Sequence, residues 1–167
     1  MLTGKEDLLQ ALIEIFLMEK GISQFYAELS GKAAGAQTKK TFVELAKWEV
    51  EHMRHIQTFY QGLMDERETI SFDDFAKKAR PDTAEGGAPM TELERKIEEF
   101  TFLDDTGAVN FALKVEADEY NLYKRLASQT DDTNVKAICE EFMGWEQDHI
   151  KYLKKILEKK EKTSKVT

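Results

Sequence analysis

Four glutamates and two histidines stand at matched positions in the two halves of this chain. Their types and spacing read as a set of metal ligands, enough for two ions. Glu19 is followed 30 residues on by Glu49-x-x-His52, and Glu116 is followed 30 residues on by Glu146-x-x-His149. The two sets lie 97 residues apart, and Tyr26 with Tyr123, Leu29 with Leu126, Lys39 with Lys136 and Trp48 with Trp145 keep that offset without a gap. Residues three apart on a helix lie side by side, so each Glu-x-x-His presents an oxygen and a nitrogen to one point. Glu19 and Glu116 supply the remaining oxygens. One Glu-x-x-His is a weak signal, but its repetition at equal distance from a lone glutamate is a strong one. Carboxylate with imidazole suits iron or manganese better than a thiolate-preferring metal. Two iron ions are the expected cofactor, with manganese as the alternative.

The neighbours of these acids make the same point energetically. Glu19 shares its helical face with Leu12, Ile15, Phe16, Ile22 and Tyr26. A helix turns such a face inward. Glu49, Glu116 and Glu146 sit in similarly apolar stripes, and no lysine or arginine stands in those stripes to pair with them. An uncompensated buried carboxylate costs several kcal/mol, against a net domain stability of roughly 5–15 kcal/mol. Two divalent cations would balance four glutamates.

The repeat breaks at one place. Position 22 is Ile, but its mate is Glu119, a fifth carboxylate one turn after Glu116. One reading is a solvent-facing acid on a slightly rotated helix. The other is a ligand drawn inward when the metals are oxidised, in exchange for a neutral histidine on the same ion. Glu119, Tyr26 and Tyr123 are candidate proton relays. The tyrosine hydroxyls can orient ligand carboxylates across the bundle; the alternative for both is core packing. Trp48 and Trp145 each precede a ligand glutamate and read as packing on an adjacent seam. Cys139 reads as a small buried residue, Met53 and Met143 as core filler, and His55 as a solvent-side or supporting histidine.

Four long segments with helical periodicity must carry these residues. They run from about Gly4 to Ser30, Thr38 to Met64, Thr106 to Ala127 and Thr133 to Lys159. Thr3 with Glu6 forms a capping box, and Asp104, Asp105, Asp131 and Asp132 stand as caps before the later two. The links Gly31 to Gln37 and Ser128 to Asp132 are short, which implies antiparallel neighbours. Residues from about 66 to 104 form a long crossover. Within it, short helices are expected over Ser71 to Ala79 and Thr91 to Phe100, the latter with a Thr91–Glu94 capping box. A loop lies between them from Arg80-Pro81 to Pro89. Residues 160–167 are expected to fray. The fold class is all-α: a ferritin-like antiparallel four-helix bundle made of two repeated hairpins with a long crossover, in a single domain over 1–167.

Composition limits the function classes. The chain has 167 residues, 41% of them hydrophobic and 34% charged, with a net charge of −8, which argues against a nucleic-acid partner. Its single cysteine allows neither an intramolecular disulfide nor a four-cysteine metal site. No apolar run approaches the roughly 18 residues of a membrane span. No signal-peptide core is visible at the N-terminus, so a cytoplasmic location is expected.

With Glu119 added to the symmetric six, the set Glu19, Glu49, His52, Glu116, Glu119, Glu146 and His149, with Tyr26 seven residues after Glu19, resembles the rubrerythrin branch of the ferritin-like di-iron proteins. The resemblance covers nearly all of residues 5–158. It implies a non-haem di-iron peroxidase that reduces hydrogen peroxide to water, with His52 and Glu119 exchanging at one iron, and a homodimer. The chain lacks the four-cysteine rubredoxin domain of the full-length family, so an external electron donor such as a rubredoxin-like protein is implied. Ferritin-type iron oxidation and storage, or another di-metal oxidase or catalase, are the alternatives.

Overall fold

The later three helices begin beside a small polar side chain or a close approach between segments. The computed structural model describes residues 5–64, 83–84, 88–89, 95 and 104–164. Among these, α1 spans Lys5–Lys32, α2 Ala36–Leu63, α3 Asp105–Gln129 and α4 Thr133–Ser164. Asp104 caps α3 by accepting from the Gly107 N–H at 2.7 Å. Asp132 caps α4 by accepting from the Asn134 and Val135 N–H groups at 2.8 and 3.3 Å. Such a cap satisfies backbone donors that have no partner inside the helix. Gly35 precedes α2, and the Asp105 carboxylate packs where its Cβ would stand, so a larger residue there would make that side chain turn aside.

That approach also sets the topology. It brings the N-termini of α2 and α3 to one end, where Lys160 of α4 meets Asp105 at 3.6 Å. Across the bundle, Tyr26 meets Glu116 while Tyr123 meets Glu19, so α1 and α3 run antiparallel. Trp48 meets His149 while Trp145 meets His52, so α2 and α4 do the same. The hairpins α1–α2 and α3–α4 pack as pairs, and α2 and α3 run parallel. The chain therefore leaves α2 at one end and enters α3 at the other. With 28 residues in α2, that is a span of about 40 Å. The expected long connection follows from these end points.

Helix ends fall within two residues of those that periodicity gives, except that α4 runs on to Ser164 rather than fraying from residue 160. The lysines of that last stretch carry no apolar stripe but complement the negative end of the helix dipole. In the segment read as loop, Thr83–Ala84 (β1) pairs antiparallel with Ala88–Pro89 (β2). A two-residue ladder is too short to show alternation. The expected helices over Ser71–Ala79 and Thr91–Phe100, and both capping boxes, lie outside the described residues, save that Arg95 is helical.

The core is continuous along the bundle. Leu12, Ile22 and Leu29 of α1 meet Phe42, Leu45 and Ile56 of α2, Val109 and Val115 of α3, and Phe142 and Leu153 of α4 in one buried cluster. On one side of the acids, Tyr26 stacks on Phe42 at 5.8 Å, and on the other Tyr123 meets Phe142 edge-on at 5.2 Å. These aromatic pairs pack on either side of the buried acids. Met53 and Met143 pack against the cluster, and Cys139 lies within it, its thiol pushed up to about 11 by burial and then by Glu140. Among the described residues, no helix is long and apolar enough to cross a membrane.

Candidate metal centre

All seven acids and histidines singled out by spacing converge at mid-bundle. Glu19, Glu49, Glu116, Glu119 and Glu146 are each 0% exposed, and His52 and His149 are 5% and 4% exposed. Heptad-like placement brings them there. Glu19 follows Phe16 and precedes Ile22 on the buried stripe of α1, and Glu116 follows Val115 on that of α3. Glu49 with His52 and Glu146 with His149 lie one turn apart on the buried faces of α2 and α4.

The contacts obey the internal repeat. Glu19 accepts from the Tyr123 hydroxyl with one oxygen and meets His52 Nδ1 at 3.2 Å with the other. Its mate Glu116 accepts from the Tyr26 hydroxyl with one oxygen and meets His149 Nδ1 at 2.7 Å with the other. Glu49 approaches His52 Nδ1 at 2.8 Å and His149 Nδ1 at 3.4 Å. Glu146 approaches His149 Nδ1 at 3.2 Å and His52 Nδ1 at 3.7 Å. Each imidazole nitrogen thus faces three carboxylates, yet one ring nitrogen can serve only one of them with a hydrogen bond.

The remainder go unserved. Both oxygens of Glu49, Glu119 and Glu146 are buried and accept no hydrogen bond, even where an imidazole lies close. Burying a polar group without a partner costs about 1–3 kcal/mol, and more for a charged one. Oxygens in this condition, beside two nitrogens turned the same way, fit cations as their missing partners. Ligand atoms of Glu49, His52, Glu146 and His149 lie within 4.8 Å of one another, as do those of Glu49, Glu116 and Glu119. The buried Glu49, His52, Glu146 and His149 cluster can hold a metal ion. Glu119 is no solvent-facing acid on a rotated helix; α3 turns it fully inward.

The electrostatics divide the acids into two kinds. Burial pushes Glu19 and Glu116 up. The charge and hydrogen bonds of His52 and His149, then hydrogen bonds shared with Glu49 and Glu146, and last those from Tyr123 and Tyr26, outweigh burial and hold both below the ordinary carboxylate range. Burial and repulsion by the neighbouring glutamates drive Glu49 and Glu119 well above that range. Burial raises Glu146 to about 8 despite His149. His149 is driven well above its ordinary value, because Glu116 and Glu49 outweigh its burial. Tyr26 and Tyr123 stay firmly protonated, since burial and the nearby carboxylates disfavour the phenolate. Without cations, Glu49, Glu119 and Glu146 therefore favour their protonated forms.

The tryptophans do more than fill a seam. Trp145 stacks on His52 at 4.6 Å and Trp48 on His149 at 4.9 Å. They line an opening of about 340 Å³ together with both histidines, Glu51 and Asp148. The imidazoles are the members of the centre that reach this opening, because the five carboxylates have no exposed surface. The two rim acids are held by bases one turn on, Glu51 by Arg54 and Asp148 by Lys151, the latter at 2.8 Å. His55 is exposed and tilts against Trp145 at 5.0 Å, which makes it a supporting residue. The tryptophans pack on an adjacent seam as spacing suggests, but spacing alone did not show that this seam holds the histidine of the other hairpin. The available signal was that they keep the same 97-residue offset as the ligands. Compared with protein-family models, curated proteins and solved structures, the chain matches none.

Proposed function

We propose that this chain is a ferritin-like di-metal redox protein of rubrerythrin type that reduces hydrogen peroxide to water with electrons from an external donor. The observation that carries this reading is the set of unserved carboxylate oxygens on Glu49, Glu119 and Glu146, buried around two inward-turned imidazoles. Glu19, Glu49, His52, Glu116, Glu146 and His149 would hold two iron or manganese ions, with Glu119 as the additional ligand. When bound, the pair of ions supplies the two electrons that hydrogen peroxide takes up, with two protons, to give two molecules of water.

The chain's own residues provide the rest. The tyrosine hydroxyls donate to Glu116 and Glu19 and fix one oxygen of each, leaving the other turned to the centre. Phe42 and Phe142, both fully buried, put apolar surface beside the two tyrosines that hold these acids. In the metal-free cluster burial and the neighbouring carboxylates favour the protonated form of Glu119, so this residue is the candidate to carry a proton into the cavity when it does not serve as a ligand. Its presence supports the rubrerythrin reading over a ferritin-type store, whose centre needs only the symmetric six. A rubredoxin-like donor and a homodimer complete the proposal.

Anaerobic loading with ferrous iron, followed in separate runs by peroxide and by dioxygen, tests it. Oxidation by peroxide is expected to be at least about ten-fold faster. Equal rates, or full peroxide turnover in Glu119→Ala, would contradict the assignment.

A further inference from the structure

The side chains behind the two imidazoles form one continuous stack. Trp145 lies on His52 with ring centroids 4.6 Å apart and planes 18° off parallel. His52 lies on His149 at 4.8 Å and 6°. His149 lies on Trp48 at 4.9 Å and 17°. Four rings thus run Trp145, His52, His149, Trp48 across the space between α2 and α4. Both outer rings are braced in turn. Tyr152 packs edge-on against Trp48 at 4.9 Å, and His55 tilts against Trp145 at 5.0 Å. Tyr152 and His55 are themselves related by the 97-residue offset, so the whole assembly repeats the twofold relation of the acids.

The pairing crosses between hairpins. Trp48 stands one turn before His52 on α2, and Trp145 stands one turn before His149 on α4. Each tryptophan nevertheless covers the histidine of the other hairpin. An imidazole on a free rotamer can swing through a wide arc. Here each ring is sandwiched between two others, and its Nδ1 is left facing the carboxylates.

We infer that Trp48 and Trp145 are positioning residues that clamp the histidine of the opposite hairpin and hold its Nδ1 toward the acid cluster. Each half of the centre is then completed by a residue from the other hairpin. The metal part of this inference rests on the di-metal reading above; the ring pairing does not.

The test uses the full-length protein and the variants W48L, W145L, W48F and W145F. The first readout is the imidazole NMR signals of the metal-free protein. W145L should move the His52 ring signals more than those of His149, and W48L should do the reverse. Larger shifts at the histidine of the same helix, or at neither, would overturn the clamp. The second readout is the affinity for Co²⁺, with its ligand-field spectrum. Loss of an outer group that orients a ligand typically costs 10–100-fold in affinity. Each Leu variant should therefore bind cobalt at least about ten-fold more weakly, and each Phe variant, which restores a flat ring, should recover most of that. Unchanged cobalt affinity in Leu variants whose histidine signals have moved would refute a positioning role. If the Leu variants do not fold, the Phe variants decide: a larger ring shift at the histidine of the opposite hairpin with near-wild-type cobalt affinity supports the clamp, and a larger shift at the histidine of the same helix, or at neither, sinks it. Wild-type protein that binds no cobalt would remove the di-metal reading, while the NMR comparison would still decide the ring pairing.

Discussion

Tyr26 on α1 donates its hydroxyl to Glu116 on α3, and through it a residue of the first hairpin fixes a carboxylate of the second. The mate Tyr123 returns the contact to Glu19. Both phenols are fully buried, so each O–H has exchanged water for one carboxylate oxygen.

Tyr26→Phe should therefore leave the Glu116 oxygen that faces Tyr26 without its hydroxyl donor. A buried hydrogen bond to a charged group contributes about 1.5–3 kcal/mol, so the variant should lose that much stability in urea unfolding. Metal affinity should fall about ten-fold, since the ligand loses its orienting partner. Tyr123→Phe should match it through Glu19. An unchanged unfolding midpoint in both would contradict the contacts.

Glu119 carries an expectation of opposite sign. Its two oxygens are buried and accept no hydrogen bond, whereas its repeat mate Ile22 is simply core. Glu119→Ile should stabilise the metal-free protein by about 1–3 kcal/mol, by removing an unsatisfied polar group from the interior. The same variant should lose peroxide reduction. Unfolding in chelator and a peroxide assay after loading give the two readings. A less stable metal-free variant would show that Glu119 is satisfied in a way the structure does not contain.

The stability of the metal-free protein should depend on pH in a defined direction. Glu49, Glu119 and Glu146 have folded values above their ordinary 4.5, with Glu146 at about 8. Their contribution is intact below 4.5 and is lost as pH rises through the folded values. His149, raised above its ordinary 6.5, acts the same way, its contribution fading as pH climbs through the folded value. Glu19 and Glu116 are held below 4.5, so their contribution is lost only as pH falls further. Unfolding free energy in chelator should peak in mildly acidic buffer and fall toward pH 9. Metal uptake should release protons and tighten as pH rises toward 8, which an indicator dye in weak buffer can follow. A chelated protein more stable at pH 9 than at pH 6 would contradict the burial of these acids.

Removing bound metal should lower the thermal midpoint. A ligand held at about 1,000 times its dissociation constant adds roughly 4 kcal/mol, and a domain of this size shifts by about 2–4 °C per kcal/mol. Calorimetry with and without chelator should show a drop of about 10 °C. No shift would mean that the protonated cluster is as stable as a metal-filled one.

The cluster of buried acids and histidines could be read without coordinates because helical periodicity is local. Glu19, Glu49, Glu116 and Glu146 stand among apolar residues at three- and four-residue spacing, and any helix that buries Leu12, Ile22 or Phe142 must bury them too. The hairpins were legible for the same reason, since short links between long stripes leave little choice of neighbour. Which side chain meets which across the bundle is not local. Trp48 lies about 100° round α2 from Glu49, and only the direction and rotation of α4 decide that its seam contains His149 rather than a plain apolar neighbour. The inward turn of Glu119 was open for the same reason, because one residue of rotation in α3 would have placed it in solvent. Sequence by itself determined the elements, the acids and their repeat. Tertiary structure decided the cross-hairpin partners, because these depend on how four rigid helices pack and no single helix encodes that.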